Sequence, residues 1–226
     1  MTPRHPTATV VCFDLGGVVV RICRSWEQAC ARAAVTLRDP DRFHAPDLTR
    51  RRRQLVEAYQ TGAITCDDFF PALADATGGL HTPEEVRAVH DAWIIDDYPG
   101  IAALIDTLNA TPGLVTACLS NTNHAHWAGM LGLPGGRGWR SHPVSSLQVH
   151  GASQLLNASK PGSEIYRRGE ALFGAEPAQI IFFDDLEENI AAARSLGWRA
   201  HRIDHEADTA AQIRDALHAE GVTLSA

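Results

Sequence analysis

The 226-residue sequence predicts an α/β fold in which a doubly wound parallel sheet is interrupted by a helical insertion. Three observations lead there. The run Val10-Val11-Cys12-Phe13 is β-branched and apolar without alternation, as in a strand covered on both faces. Similar runs return at residues 114–119 and 179–183, separated by segments of helical periodicity. Between about residues 24 and 96, by contrast, no strand of comparable strength is apparent and helical patterns follow one another, as an inserted domain would require.

In chain order, the first strand stops at Asp14, and Gly16 and Gly17 then permit a sharp turn and a close backbone approach. Ser25 is placed to cap a helix over 26–34, a second helix is expected over 48–59, and Thr65 caps a third over 67–76. Thr82-Pro83-Glu84-Glu85 opens a fourth, with a capping residue, proline in the first turn and early acids. The run Arg50-Arg51-Arg52-Arg53 inside this block is expected to be a solvated helix face. Ile101, Leu104, Ile105 and Leu108 recur at helical spacing, and Thr111-Pro112-Gly113 ends that helix before the strand at 114–119. Residues 132–159, rich in glycine and proline, read as loops around one short strand near 144–149. A helix over 163–173, the strand at 179–183, a helix over 186–196, a strand over 198–203 and a last helix over 207–219 complete the pattern.

Composition limits the function classes. A hydrophobic content of 45% and 21% charged residues are those of an ordinary globular chain, and a formal net charge of -7 argues against nucleic acid as a partner. No apolar stretch approaches the roughly 20 residues of a membrane span, and Met1-Thr2-Pro3-Arg4-His5-Pro6 leads into a strand rather than a signal core. A cytoplasmic location is therefore expected, with no membrane association. Five cysteines without a CxxC pair are expected to be reduced, and His124 and His126 do not share a helix face as metal ligands would.

The chemistry gathers at strand ends. An unpaired Asp14 in a core would cost several kcal/mol, so it belongs at the carboxyl end of its strand, where open α/β sheets bind ligands. The second strand ends in Ser120-Asn121 and the third in Asp184-Asp185, whose adjacent carboxylates repel unless a cation or donors compensate. Lys160, just ahead of a helix, would alone be read as an exposed lysine, although anions favour such a position. A carboxylate nucleophile, acids for Mg²⁺, and hydroxyl and ammonium groups for an oxyanion are together the parts of phosphoryl transfer.

These four segments, Phe13-Asp14-Leu15-Gly16-Gly17-Val18, Leu119-Ser120-Asn121, Lys160-Pro161 and Phe183-Asp184-Asp185-Leu186, resemble in order the motifs of the haloacid dehalogenase superfamily. The opening and the Asp pair are similar to the α-D-glucose-1-phosphate phosphatase branch and to the phosphatase domain of epoxide hydrolase. The resemblance implies a Rossmann-like core formed by residues 1–22 and 97–226, with 23–96 as a type 1 helical cap. It implies a Mg²⁺-dependent phosphatase of small phosphorylated molecules. Asp14 would be the nucleophile, and Asp14, Asp184, Asp185 and the Gly16 carbonyl the metal ligands. Ser120, Asn121 and Lys160 would hold the phosphoryl oxygens, with Lys160 also offsetting charge repulsion. One departure stands out: phosphatases of the superfamily usually carry an acid two residues after the nucleophile, where this chain has Gly16, so no proton donor is available there. A catalytically impaired phosphate-ester binder is the alternative this raises, and a 2-haloacid dehalogenase is a second.

Overall fold

A computed structural model describes residues 8–224, so the expectation drawn from the first six residues lies outside them. The chain opens with β1 (Thr9–Phe13) and β2 (Val20–Ile22) and then forms five helices. These are α1 (Trp26–Arg32), α2 (Pro40–Phe43), α3 (Pro46–Gln60), α4 (Cys66–Asp75) and α5 (Pro83–Asp91). After β3 (Ile94–Asp97) come α6 (Ile101–Ala110), β4 (Leu114–Ser120), α7 (His124–Leu131), α8 (His142–Ser146), β5 (Val149–Ala152) and α9 (Ser153–Leu156). The chain continues with α10 (Ser163–Phe173), β6 (Ile180–Asp184), α11 (Glu187–Ser195), β7 (Arg199–Arg202) and α12 (Thr209–Ala219). No described helix is long and apolar enough to cross a membrane.

The main sheet has the order β5-β4-β1-β6-β7, with every neighbouring pair parallel. Its central strand shows why the sequence lacked alternation. Val11 and Phe13 point into one apolar cluster with Ile105, Cys118 and Phe183, while Val10 and Cys12 point into another with Leu119, Phe182 and Trp198. Helices cover both faces, as parallel sheets require. Register aligns Phe13 with Cys118 on one side and Phe183 on the other, so Asp14, Ser120 and Asp184 emerge along one edge.

Helices α1–α5 build apolar clusters of their own. Tyr59, Phe69, Phe70 and Leu73 form one, and Cys23, Ala29, Cys30 and Val89 another. Thr82 and Glu85 close a reciprocal capping box at α5, and Ser25 and Thr65 cap α1 and α4 as their sequence positions predicted.

Several expectations are corrected. Residues 24–96 do contain a strand: β3 pairs antiparallel with β2, and the Arg21–Asp96 ion pair spans the two. Four half-buried residues ending in two acids carry no apolar run, so the pattern was silent. The short strand sought near 144–149 lies later, at β5, because Ser141 caps the short helix α8 through Val144 N at 3.2 Å. The arginine run is not uniformly solvated. Arg50, Arg51 and Arg53 are exposed, but Arg52 is buried, donating to the Ala76 carbonyl at 3.1 Å with its guanidinium 3.8 Å from the Phe43 ring centroid. All five cysteines are free, four of them buried.

Candidate active site

Asp14 stands immediately after β1, its backbone N–H donating to the Phe183 carbonyl at 2.8 Å. Its Oδ1 accepts from Leu15 N at 2.7 Å and lies 3.0 Å from Lys160 Nζ. Burial outweighs the favourable Lys160 charge and pushes the Asp14 carboxyl up to about 6; the Asp184 charge adds to the rise, and a hydrogen bond with Ser120 opposes it.

Lys160 reverses the exposed-lysine expectation, for its side chain is fully enclosed. The ammonium lies between two carboxylates, donating to Asp184 Oδ2 at 2.6 Å as well as approaching Asp14. Burial alone would lower its pKa, but the charges of Asp14 and Asp184 more than offset that and raise it. Its backbone is fixed by Asn121, whose amide donates to the Lys160 carbonyl and accepts from the Lys160 N–H, both at 2.8 Å. The Asn121 side chain therefore holds the lysine in place from the end of β4.

Asp184 ends β6 and is saturated with donors. Besides Lys160, Asn189 Nδ2 lies 3.0 Å from each of its oxygens, and Leu186 N donates to Oδ1 at 2.9 Å. Asp185, the next residue, accepts instead from Arg24 Nη1 at 2.7 Å, with His205 Nδ1 4.0 Å away. Arg24 belongs to no strand-end motif, and a lone arginine ahead of a helix gives no sequence signal of a partner 161 residues away.

Of the two glycines, Gly17 has the firm steric reason to be glycine. Gly17 has φ +86°, and a Cβ there would lie 2.4 Å from Asp185 Oδ2 and 2.6 Å from Arg24 Nη2. A Cβ on Gly16 would meet Ile22 Cδ1 at 2.9 Å, so a methyl group of β2 occupies the space beside this position. Ser120 is buried at the end of β4.

The structure thus brings Asp14, Gly16, Ser120, Asn121, Lys160, Asp184 and Asp185 to one end of the sheet. Oxygens of Asp14, Asp184 and Asp185 lie within 4.8 Å of one another, and all three residues are buried. Three carboxylates against the two cations Lys160 and Arg24 leave net negative charge, and an all-oxygen set is the kind that holds a hard divalent ion. The donor set fits Mg²⁺.

Above this rim lies a cavity of about 270 Å³ between α1–α5 and the sheet, with Leu15, Gly16 and Ser120 among its lining residues. His90 of α5 and His126 of α7 face each other there with ring centroids 3.7 Å apart. His126 Nε2 is bonded to the His90 carbonyl at 2.8 Å, and its Nδ1 lies 3.2 Å from Asn123 Nδ2. Burial lowers the pKa of both imidazoles.

A sequence model of the haloacid dehalogenase-like hydrolases matches residues 8–197. The chain is 27% identical over 230 residues to the bifunctional epoxide hydrolase 2 of Sus scrofa, covering 94% of this chain and 39% of that one. It spans well under half the length of the curated relatives it matches. Among solved structures, it resembles a HAD family enzyme of Bacteroides thetaiotaomicron, crystallised with magnesium and inorganic phosphate. The TM-score is 0.70 at 21% identity, covering 89% of this chain and 96% of that one. An L-2-haloacid dehalogenase of Xanthobacter autotrophicus, with chloropropionic acid covalently bound, aligns at TM-score 0.59 and 16% identity, covering 96% of this chain and 84% of that one. At these identities the two structures share the fold with this chain.

Proposed function

This chain belongs to the haloacid dehalogenase-like hydrolase family, and on that premise we propose that it is a Mg²⁺-dependent phosphomonoesterase acting through an aspartyl phosphate on Asp14. The observation that carries this reading is the buried convergence of Asp14, Asp184 and Asp185 around Lys160. Residues 1–22 and 97–226 form the core in this reading, and 23–96 the cap over a small phosphorylated substrate. The magnesium and phosphate of the Bacteroides enzyme accord with it.

Asp14 and Asp185, with the Gly16 carbonyl, would hold the ion, Asp184 joining directly or through water. Bound there, Mg²⁺ supplies positive charge that neutralises phosphoryl oxygens. The remaining work falls to the chain. Leu15 N and Lys160 fix Oδ1 of Asp14 and so orient the carboxylate for in-line attack on phosphorus. Asp184 already accepts four hydrogen bonds, one of them from the Lys160 ammonium, so besides joining the ion directly or through water it fixes that ammonium. Ser120, the backbone at Asn121, and Lys160 receive the phosphoryl oxygens as charge develops. Water then releases phosphate from Asp14.

The dehalogenase alternative shares Asp14, Ser120 and Lys160, but it gives no task to three clustered acids. Phosphate release from acetyl phosphate and nitrophenyl phosphate, with and without chelator, tests the proposal. Release that requires Mg²⁺ and vanishes in Asp14→Asn is expected. Chelator-insensitive halide release from a 2-haloacid would replace it with the dehalogenase reading, and tight ester binding without turnover would replace it with the impaired binder.

A further inference from the structure

The cavity between the helices and the rim carries the substrate class further, on the basis of the phosphatase reading. Its walls are aromatic and aliphatic: Trp26, Tyr59, Phe69 and Trp93, with Val56 and Leu73. No aspartate, glutamate, lysine or arginine is among its lining residues. Its neutral polar side chains away from the Asp14 rim are few, chiefly Gln60 and Thr122, so a sugar placed here would have more hydroxyls than partners, at a cost for each one left over. The Tyr59 hydroxyl is turned to Cys66 Sγ at 2.9 Å, and His126 is bonded to the His90 carbonyl and near the Asn123 amide. Both ring nitrogens of His90 are enclosed and without a hydrogen-bond partner, the ring being packed among Tyr59, Phe69, Phe70 and His126, so His90 offers a sugar hydroxyl nothing either. The volume is nearly twice that of a ~150 Å³ cavity that takes benzene.

Gly16 points to the same ligand from the chemical side. With glycine at that position and no aspartate or glutamate among the cavity's lining residues, expulsion of an alkoxide has no carboxylic acid beside it, whereas a phenolate leaves unassisted. We propose that the cavity binds the alcohol part of an aryl phosphomonoester of one or two fused rings. In the first step the bond from phosphorus to Asp14 forms as the bond from phosphorus to the aryl oxygen breaks, and the phenolate departs with the electron pair. In the second, a water oxygen attacks phosphorus, Asp14 is restored as carboxylate, and the protons of water are taken up by phosphate and phenolate.

Two of the cavity's walls are tryptophans, which gives a binding signal independent of turnover. Naphthyl phosphate titrated into the Mg²⁺-loaded Asp14→Asn protein is expected to quench tryptophan emission saturably, inorganic phosphate to compete, and glucose 6-phosphate to produce no quenching. In the wild-type holoenzyme, kcat/KM for naphthyl and phenyl phosphate is expected to exceed that for glucose 6-phosphate by about tenfold or more, with naphthyl having the lower KM. If acetyl phosphate is cleaved but naphthyl phosphate neither quenches nor outpaces the sugar phosphate, the aryl assignment falls and the phosphatase stands. If naphthyl phosphate quenches and no phosphate ester or acetyl phosphate is cleaved, the cavity assignment stands and the phosphatase falls.

Discussion

Gly16 leaves this site without a carboxyl side chain two residues after Asp14, and the packing around it shows how much room one would have. The nearest obstacle to a side chain there is Ile22 Cδ1, the movable end of a flexible chain, and the Gly16 backbone is not in the left-handed region. Gly16→Asp should therefore be accommodated if the Ile22 side chain shifts, and Gly16→Asp with Ile22→Ala should give the acid room beside the leaving group. The double variant is expected to raise kcat on alkyl phosphates by about 10²-fold, the low end of what general acid catalysis contributes, and to change aryl turnover little. Equal gains on both classes, or none on alkyl esters, would show that the missing proton is not what limits this enzyme. Residue-level legibility was uneven. Asp14, Ser120, Asp184 and Asp185 could be read because polar groups that abruptly end apolar strands have few places to go. Lys160 could not be read as buried from its own position, since the two acids that hold its charge lie 146 and 24 residues away. Arg24 gave no signal at all.

Among the elements, core strands announced themselves because burial on both faces enforces an unbroken apolar run. Helix α7 did not, since His124, His126, Gly129 and Met130 give weak periodicity and its start rests on Asn123, whose Oδ1 accepts from His126 N at 3.0 Å. Through this helix the sheet meets α5, at the stack of His126 on His90. Burial lowers both pKa values below the ordinary histidine value of about 6.5. As pH falls below about 6.5, the unfolded chain takes up these protons before the folded one, so stability present at neutral pH declines. Asp91 beside His90 moderates the effect. Asp14, raised to about 6, acts in the opposite sense over the same window, because the folded state then binds the extra proton. The informative quantity is therefore a difference. Thermal unfolding midpoints of His126→Gln should fall less than those of the wild type between about pH 7 and pH 5, and parallel curves would mean the stack titrates as it does in the unfolded chain.

At the scale of the whole molecule, one central strand in a parallel sheet sets the arrangement. With β1 between β4 and β6, three strand ends far apart in sequence share a rim, and the helices between β2 and β3 stand over it with an apolar cavity beneath them. Fold class was legible from strand spacing alone, and the arrangement of motifs followed from it. The lining of the cavity was not, because it is assembled from α1, α3, α4, α5 and α7 together with β2 and β3, whose apolar residues look like any core until their packing is known. Phosphatase chemistry at this rim requires above all that Asp14 become phosphorylated. Acid quenching during turnover of acetyl phosphate with Mg²⁺, followed by peptide mass mapping, measures this directly. A phosphoryl increment on the peptide holding Asp14, absent with chelator and absent in Asp14→Asn, is the predicted result; phosphate release at full rate with that peptide never modified would contradict it.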